Sequence, residues 1–158
     1  MPGYKAHVGF AACLYAVLLA VSGLVGKQSV TLSFYKALEW FLCTVLGALF
    51  PDIDIKSKGQ ILFYECMVAL LFFLWWKECR YLFVIVAFLA LLPLLVHHRG
   101  LFHRPWFVIS MPLVSALIAG HFYPRLFDVF FVDACFFSIG ALSHCFLDAF
   151  VTKVTKKR

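Results

Sequence analysis

The sequence predicts an all-α membrane protein, a polytopic bundle of about six transmembrane helices, and three observations carry that expectation. Hydrophobic residues make up 64% of the chain and charged residues only 14%, whereas a soluble domain is about a quarter charged. Mean hydropathy is +0.94. The apolar residues also gather into runs close to the roughly 20 residues that a helix needs to cross the hydrocarbon layer. A chain of 158 residues so composed has too little polar surface to cover a water-soluble globule.

The runs cover about residues 6–25, 31–50, 61–76, 81–96, 106–122 and 127–151. Lys5 ahead of the first run invites a signal-peptide reading. No small-residue cleavage site precedes a polar mature segment, however, and another span follows at once, so the run reads as a retained helix. The third and fourth runs are short. Lys58, Lys77 and Arg80 flank them and can snorkel to the interface to make up the difference. Four spans plus a buried or re-entrant pair is the fallback count. No internal repeat or linker divides the chain, and residues 1–158 read as a single domain.

Orientation follows the Lys and Arg of the short loops. With six spans, one side carries Lys5, Lys56, Lys58, Arg99, Arg104, Lys153, Lys156, Lys157 and Arg158. The other carries Lys27, Lys36, Lys77, Arg80 and Arg125. Nine against five places both termini in the cytoplasm, in a multi-pass protein of the inner (cytoplasmic) membrane. The net charge of +6 needs no nucleic acid as partner. Four of the positive charges form a tail beyond the last run, suited to anionic headgroups, and no aromatic-interleaved basic surface accompanies them. The six cysteines are scattered singly without a C-x-x-C pair. They read as small buried apolar residues.

This threading, fixed by apolar runs alone, collects five of the six histidines and three of the eight carboxylates on one membrane face. His7 opens the first span there. Asp52 and Asp54, in F-P-D-I-D, close the second. His97, His98 and His103, in H-H-R-G-L-F-H-R, join the fourth and fifth, and His144 and Asp148 lie near the end of the sixth. His121 alone among the histidines falls on the far side, as do Glu39 and Asp128. Ionisable groups at membrane depth are costly, so a one-sided cluster of metal-ligand types is a site hypothesis.

Each piece also has a plainer reading. His7 suits an interfacial helix start, and Asp52 and Asp54 after Pro51 suit a solvated turn. The histidine loop suits a basic segment against headgroups. His144 and Asp148, four apart on one helical face, suit a hydrogen bond that pins two helices. Gly140, Ala141 and Ser143 beside them admit a close helix neighbour under either reading. Imidazole is a common Zn²⁺ ligand, and Gly100 permits a turn bringing His98 and His103 together. His97, adjacent to His98, is expected to point elsewhere. Arg99 suits bidentate binding of phosphate, with Arg104 as the alternative. Glu65, one turn inside the third span, is a possible base or supporting partner.

The order of these motifs, an N-terminal His, F-P-D-I-D, H-R-G-x-x-H and S-H-x-x-x-D, resembles the YdjM-like membrane-bound metal-dependent hydrolases over nearly the whole chain. That family is in turn distantly similar to zinc-dependent phospholipase C. The resemblance implies metal ligation by His7, Asp52, His98, His103, His144 and Asp148, with Zn²⁺ (or Mn²⁺) as cofactor in two or more ions. Arg99, Glu65 and Asp54 are then the candidates for catalytic support. Phe102 and Arg104 stand where the family's third motif usually carries hydroxyl residues.

The expected function is a metal-dependent hydrolase acting on a phosphoester of a membrane lipid at the cytoplasmic face. The alternative is a non-enzymatic metal-binding or regulatory membrane protein. A metal-independent lipid phosphatase of the phosphohistidine type ranks lower, because the chain lacks the P-S-G-H element that such enzymes need.

Overall fold

The computed structural model describes residues 3–25, 33–54, 57–95 and 101–155. Six α-helices take up the six apolar runs: α1 (Tyr4–Val25), α2 (Phe34–Leu49), α3 (Lys58–Trp76), α4 (Arg80–Leu95), α5 (Pro105–Phe122) and α6 (Phe127–Thr155). Short 3-10 turns occupy Phe50–Asp54, Leu101–His103 and Pro124–Leu126. No strand occurs among the described residues. The all-α membrane bundle expected from composition is the fold observed.

Five of the helices are long and apolar enough to cross a membrane. α4 is described over 16 residues. It leaves the tight turn after α3, where Glu78 takes a φ of 54°, and comes back into contact with the Phe50–Asp54 turn that precedes α3. Successive helices therefore alternate in direction. The described start of α1 and the end of α6 lie at the same end of the bundle.

The outer surface matches a lipid environment. Phe72, Trp75, Trp76, Tyr81, Val84 and Ile118 are all more than half exposed, which water would not tolerate over so large a continuous area. Trp75, Trp76 and Tyr81 flank the α3–α4 turn, the interfacial position that amphipathic aromatic rings favour.

The inner packing centres on α6, which lies against α2 and α5. Two glycines make the first of these contacts possible. A Cβ on Gly140 would be driven into the Thr44 carbonyl of α2, and one on Gly47 into the Phe137 carbonyl of α6. The small polar residues along this seam satisfy themselves locally. Thr44 Oγ1 donates to the Trp40 carbonyl at 2.8 Å, Ser138 Oγ to Ala134 at 2.8 Å and Ser143 Oγ to Gly140 at 2.7 Å. At the end where α1 begins, Phe50, Ile53, Phe102, Val108 and Ala141 form an apolar core. It is the floor on which the polar cluster rests.

α6 is described four residues past the apolar run ending at Val151, as far as Thr155. Asp148 sits about two turns, and His144 about three, before Thr155.

Candidate metal centre

Four segments of the chain deliver five ligand-type side chains to one place. His7 comes from the first turn of α1, Asp52 from the 3-10 turn after α2, and His103 from the 3-10 turn before α5. His144 and Asp148 come from one face of α6. His144 Nε2 lies 3.5 Å from Asp52 Oδ1 and 3.7 Å from Asp148 Oδ2. His103 Nε2 lies 3.7 Å from Asp52 Oδ1, and His7 Nε2 lies 3.6 Å from Asp148 Oδ1. The His7 and His144 rings stack with centroids 3.8 Å apart. Those two imidazoles are 2% and 1% exposed, while both carboxylates keep a partial opening.

These separations decide what the cluster can do. Hydrogen bonds between such atoms close to about 2.7–3.2 Å, and the four contacts at 3.5–3.7 Å are longer. Two ligands bonded to one tetrahedral Zn²⁺-type ion at about 2.0–2.2 Å stand roughly 3.3–3.6 Å from each other. The observed spacing is that of atoms arranged around a common centre. Two overlapping groups of three could hold an ion, His7 with Asp52 and His144, and His103 with His144 and Asp148. In each, the ligand atoms lie within 4.8 Å of one another. Among the described residues, the buried His144 Nε2 and Asp148 Oδ1 make no hydrogen bond, a costly state for polar atoms that a cation would relieve.

The supporting groups orient the ligands. His144 Nδ1 lies 2.7 Å from the Ala48 carbonyl. A carbonyl only accepts, so Nδ1 carries the proton and Nε2 presents its lone pair to the cluster, the arrangement that fixes metal-binding imidazoles. Ala48 is in the last turn of α2, whose carbonyls lack full intrahelical partners. Pro51, three residues on, has no N–H to close a 3-10 bond back onto it.

Ser57 holds the Asp52 segment from the other side. Its hydroxyl donates to the Asp52 carbonyl at 2.8 Å and accepts from Gln60 N–H at 3.1 Å as the N-cap of α3. Between Lys56 and Lys58, Ser57 reads in sequence as an ordinary loop residue. Ser-x-x-Gln is nonetheless a capping-box pattern, and it marked both the start of α3 and the anchor for Asp52. No sequence pattern marks the Ala48 carbonyl as the His144 partner.

Of the six expected ligands, His7, Asp52, His103, His144 and Asp148 come together. His98 lies outside the described residues, as do His97 and Arg99. The backbone of Asp54 belongs to the turn of Asp52, while its side chain is outside what the structure describes. Glu65 is not brought to the cluster. It is exposed on α3, beside Gln60, Ile61 and Val68 along an open groove, because its angular position about the helix axis is on the outer face. Arg104 is exposed and caps the start of α5. His121 is exposed near the end of α5, away from the cluster.

Comparison with curated proteins and with solved structures finds no match. A family model does match, over residues 1–156, and so covers every segment that feeds the cluster. With its crossing helices and these motifs in order, the chain belongs to the YdjM inner membrane protein family.

Proposed function

We propose that the protein is a metal-dependent hydrolase of the phosphoester bond of a membrane lipid, working at the cytoplasmic face of the inner membrane. The observation that carries this reading is the spacing of 3.5–3.7 Å among imidazole nitrogens and carboxylate oxygens drawn from separate segments. His7, Asp52, His103, His144 and Asp148 would hold the metal, with His98 as a sixth ligand.

Ions of the Zn²⁺ class, when bound, supply Lewis acidity toward phosphoryl oxygens and activate water near neutral pH. The chain's own residues do the rest. Ala48 and Ser57 hold His144 and Asp52 in place. Burial of the imidazoles excludes bulk water, which strengthens each charge interaction in the site. Arg99, or Arg104 at the start of α5, would clamp the non-reacting phosphate oxygens. His144-x-x-x-Asp148, a pair of the kind that zinc-dependent phospholipase C carries on its helices, makes phosphodiester chemistry the first class to assay.

Asp148→Ala should lower bound metal and lipid hydrolysis together, with partial rescue by excess Zn²⁺ or Mn²⁺. Arg99→Ala should keep its metal and lose turnover by about a hundredfold, the value of a transition-state contact of a few kcal/mol. Elemental analysis combined with a phospholipid and lipid-pyrophosphate panel reads both.

The second reading is a closed, non-enzymatic metal site, and the near-complete burial of His7 and His144 favours it. Folded, fully metallated protein that hydrolyses nothing in the panel would decide for it. The cytoplasmic orientation rests on the nine-to-five charge bias. A compartment-sensitive reporter fused after Arg158 checks it, and a signal only from outside would move the site to the outer leaflet.

A further inference from the structure

The Phe50–Asp54 turn faces two ways. Asp52 points to His103 and His144. Phe50 and Ile53 on either side of it wall an apolar crevice of about 280 Å³ between α3 and the rest of the bundle. These two are 8% and 2% exposed and form its inner end. Met67 of α3 and Met111 of α5 line it further along. Its mouth is at Leu46 of α2 and Cys66 of α3, both exposed.

The sequence builds this opening. Gly59 lets the start of α3 press on the end of α2, where a Cβ would come 2.6 Å from the Leu49 carbonyl. α3 is pinned there, and the crevice opens beyond the pin, within the segments that span the membrane.

We infer that this crevice holds one hydrocarbon chain of the substrate, which makes the substrate class a phosphoester amphiphile with its headgroup at the His–Asp cluster. The inference rests on the hydrolase reading above. At this depth the surroundings of the mouth are lipid tails, so the occupant is apolar and arrives sideways. The volume falls just under the roughly 300–1,000 Å³ of pockets that enclose a whole small molecule. It suits a single unbranched chain and leaves a second chain in the bilayer.

A tail entering from the bilayer exchanges one apolar environment for another and gains little hydrophobic energy. The crevice therefore acts by position. With its inner end two residues or fewer from Asp52, it sets the depth at which the phosphate meets the ligands, and misplacement by an ångström is costly to rate.

The test uses the full-length protein in phospholipid nanodiscs with long-chain phosphatidic acid carrying a diazirine midway along one acyl chain. Photolysis and mass spectrometry should place the label on the crevice residues Leu46, Cys66, Met67 and Met111, and unlabelled long-chain phosphatidic acid should compete. Met67→Trp fills the crevice, and Leu46→Trp, at the exposed mouth, serves if the first variant fails to fold. Either should cut labelling about tenfold and raise the KM for long-chain lipid by a similar factor, with bound metal unchanged.

Label spread evenly over lipid-facing residues such as Val17 and Phe72, and indifferent to both variants, overturns the inference. Label confined to the crevice, with no turnover of the probe or of any lipid in the phospholipid and lipid-pyrophosphate panel, supports the crevice as a chain site and overturns the hydrolase reading instead.

Discussion

Two polar clusters lie along α2 and α6, at opposite ends, and they close in different ways. Near the start of α2, Lys36 and Glu39 form a direct ion pair of 2.8 Å, with the Asp133 side chain of α6 against Glu39. The pair is 41% and 37% exposed. Beyond the other end of α2, Asp52 and Asp148 are 17% and 15% exposed and, among the described residues, face imidazole nitrogens at 3.5–3.7 Å. Both regions place carboxylates at the margin of an apolar bundle, where an isolated ionised group is expensive.

The first region brings its own cation. A lysine one turn from the glutamate offers a compact ammonium on a flexible stem that settles at hydrogen-bonding distance. In the second, the groups opposite the carboxylates are held rigidly by burial and by the Ala48 carbonyl, and they stop short of that distance. The contrast separates a region that carries a lysine ammonium of its own from one whose carboxylates face buried imidazoles, the set proposed above to hold an external ion.

The strongest way to break this comparison is to remove one carboxylate from each region. Asp52→Ala should lower metal affinity by at least a hundredfold, beyond the 10–100-fold typical when only a group behind a ligand is removed. Glu39→Gln should leave metal content unchanged. Equal metal loss in both variants would erase the distinction.

The next largest effect should come from the seam that sets the distance between α2 and α6. Gly140→Leu forces a side chain against the Thr44 backbone. It should destabilise the fold by about 1–3 kcal/mol as an overpacked core does, with metal binding weakened because His144 moves away from Ala48. Gly9→Leu is the matched control, since nothing lies within 4 Å of a Cβ there. Thermal unfolding in detergent with metal quantified alongside distinguishes them, and similar losses would show that the seam does not position the site.

The smallest effect sharpens the comparison. Ser57→Ala removes the α3 cap and the tether on the Asp52 carbonyl. It should cost about 1 kcal/mol of stability and weaken metal binding only a fewfold, because Asp52 keeps its carboxylate. An effect on metal as large as that of Asp52→Ala would mean that the tether, not the ligand, dominates.

Much of this site is legible in the sequence because membrane topology does the work of tertiary contacts. Once apolar runs are threaded in alternating directions, His7, Asp52, His103, His144 and Asp148 must fall at one end of the bundle. Glu65 shows where such reasoning stops. Its depth along α3 matched the site, but its rotation about the helix axis carried it outward, and α3 has an apolar residue in nearly every direction. Hydropathy therefore could not tell which face of α3 met the bundle. The far-end contact of Asp133 with Glu39 escaped for the same reason.

The sequence by itself determined that this chain is a bundle of membrane helices, which end of it is polar, and which residue types meet there. Those properties follow from length, hydropathy and order along the chain, and each span carries them without reference to its neighbours. Only the tertiary structure decided the separations near 3.6 Å, the His144 tautomer set by Ala48, the closeness of α2 to α6 at Gly47 and Gly140, and the crevice beside Asp52. These depend on how helices rotate and approach in three dimensions. Between apolar surfaces in a bilayer, small-residue contacts and single hydrogen bonds settle that approach, and hydrophobic pattern does not.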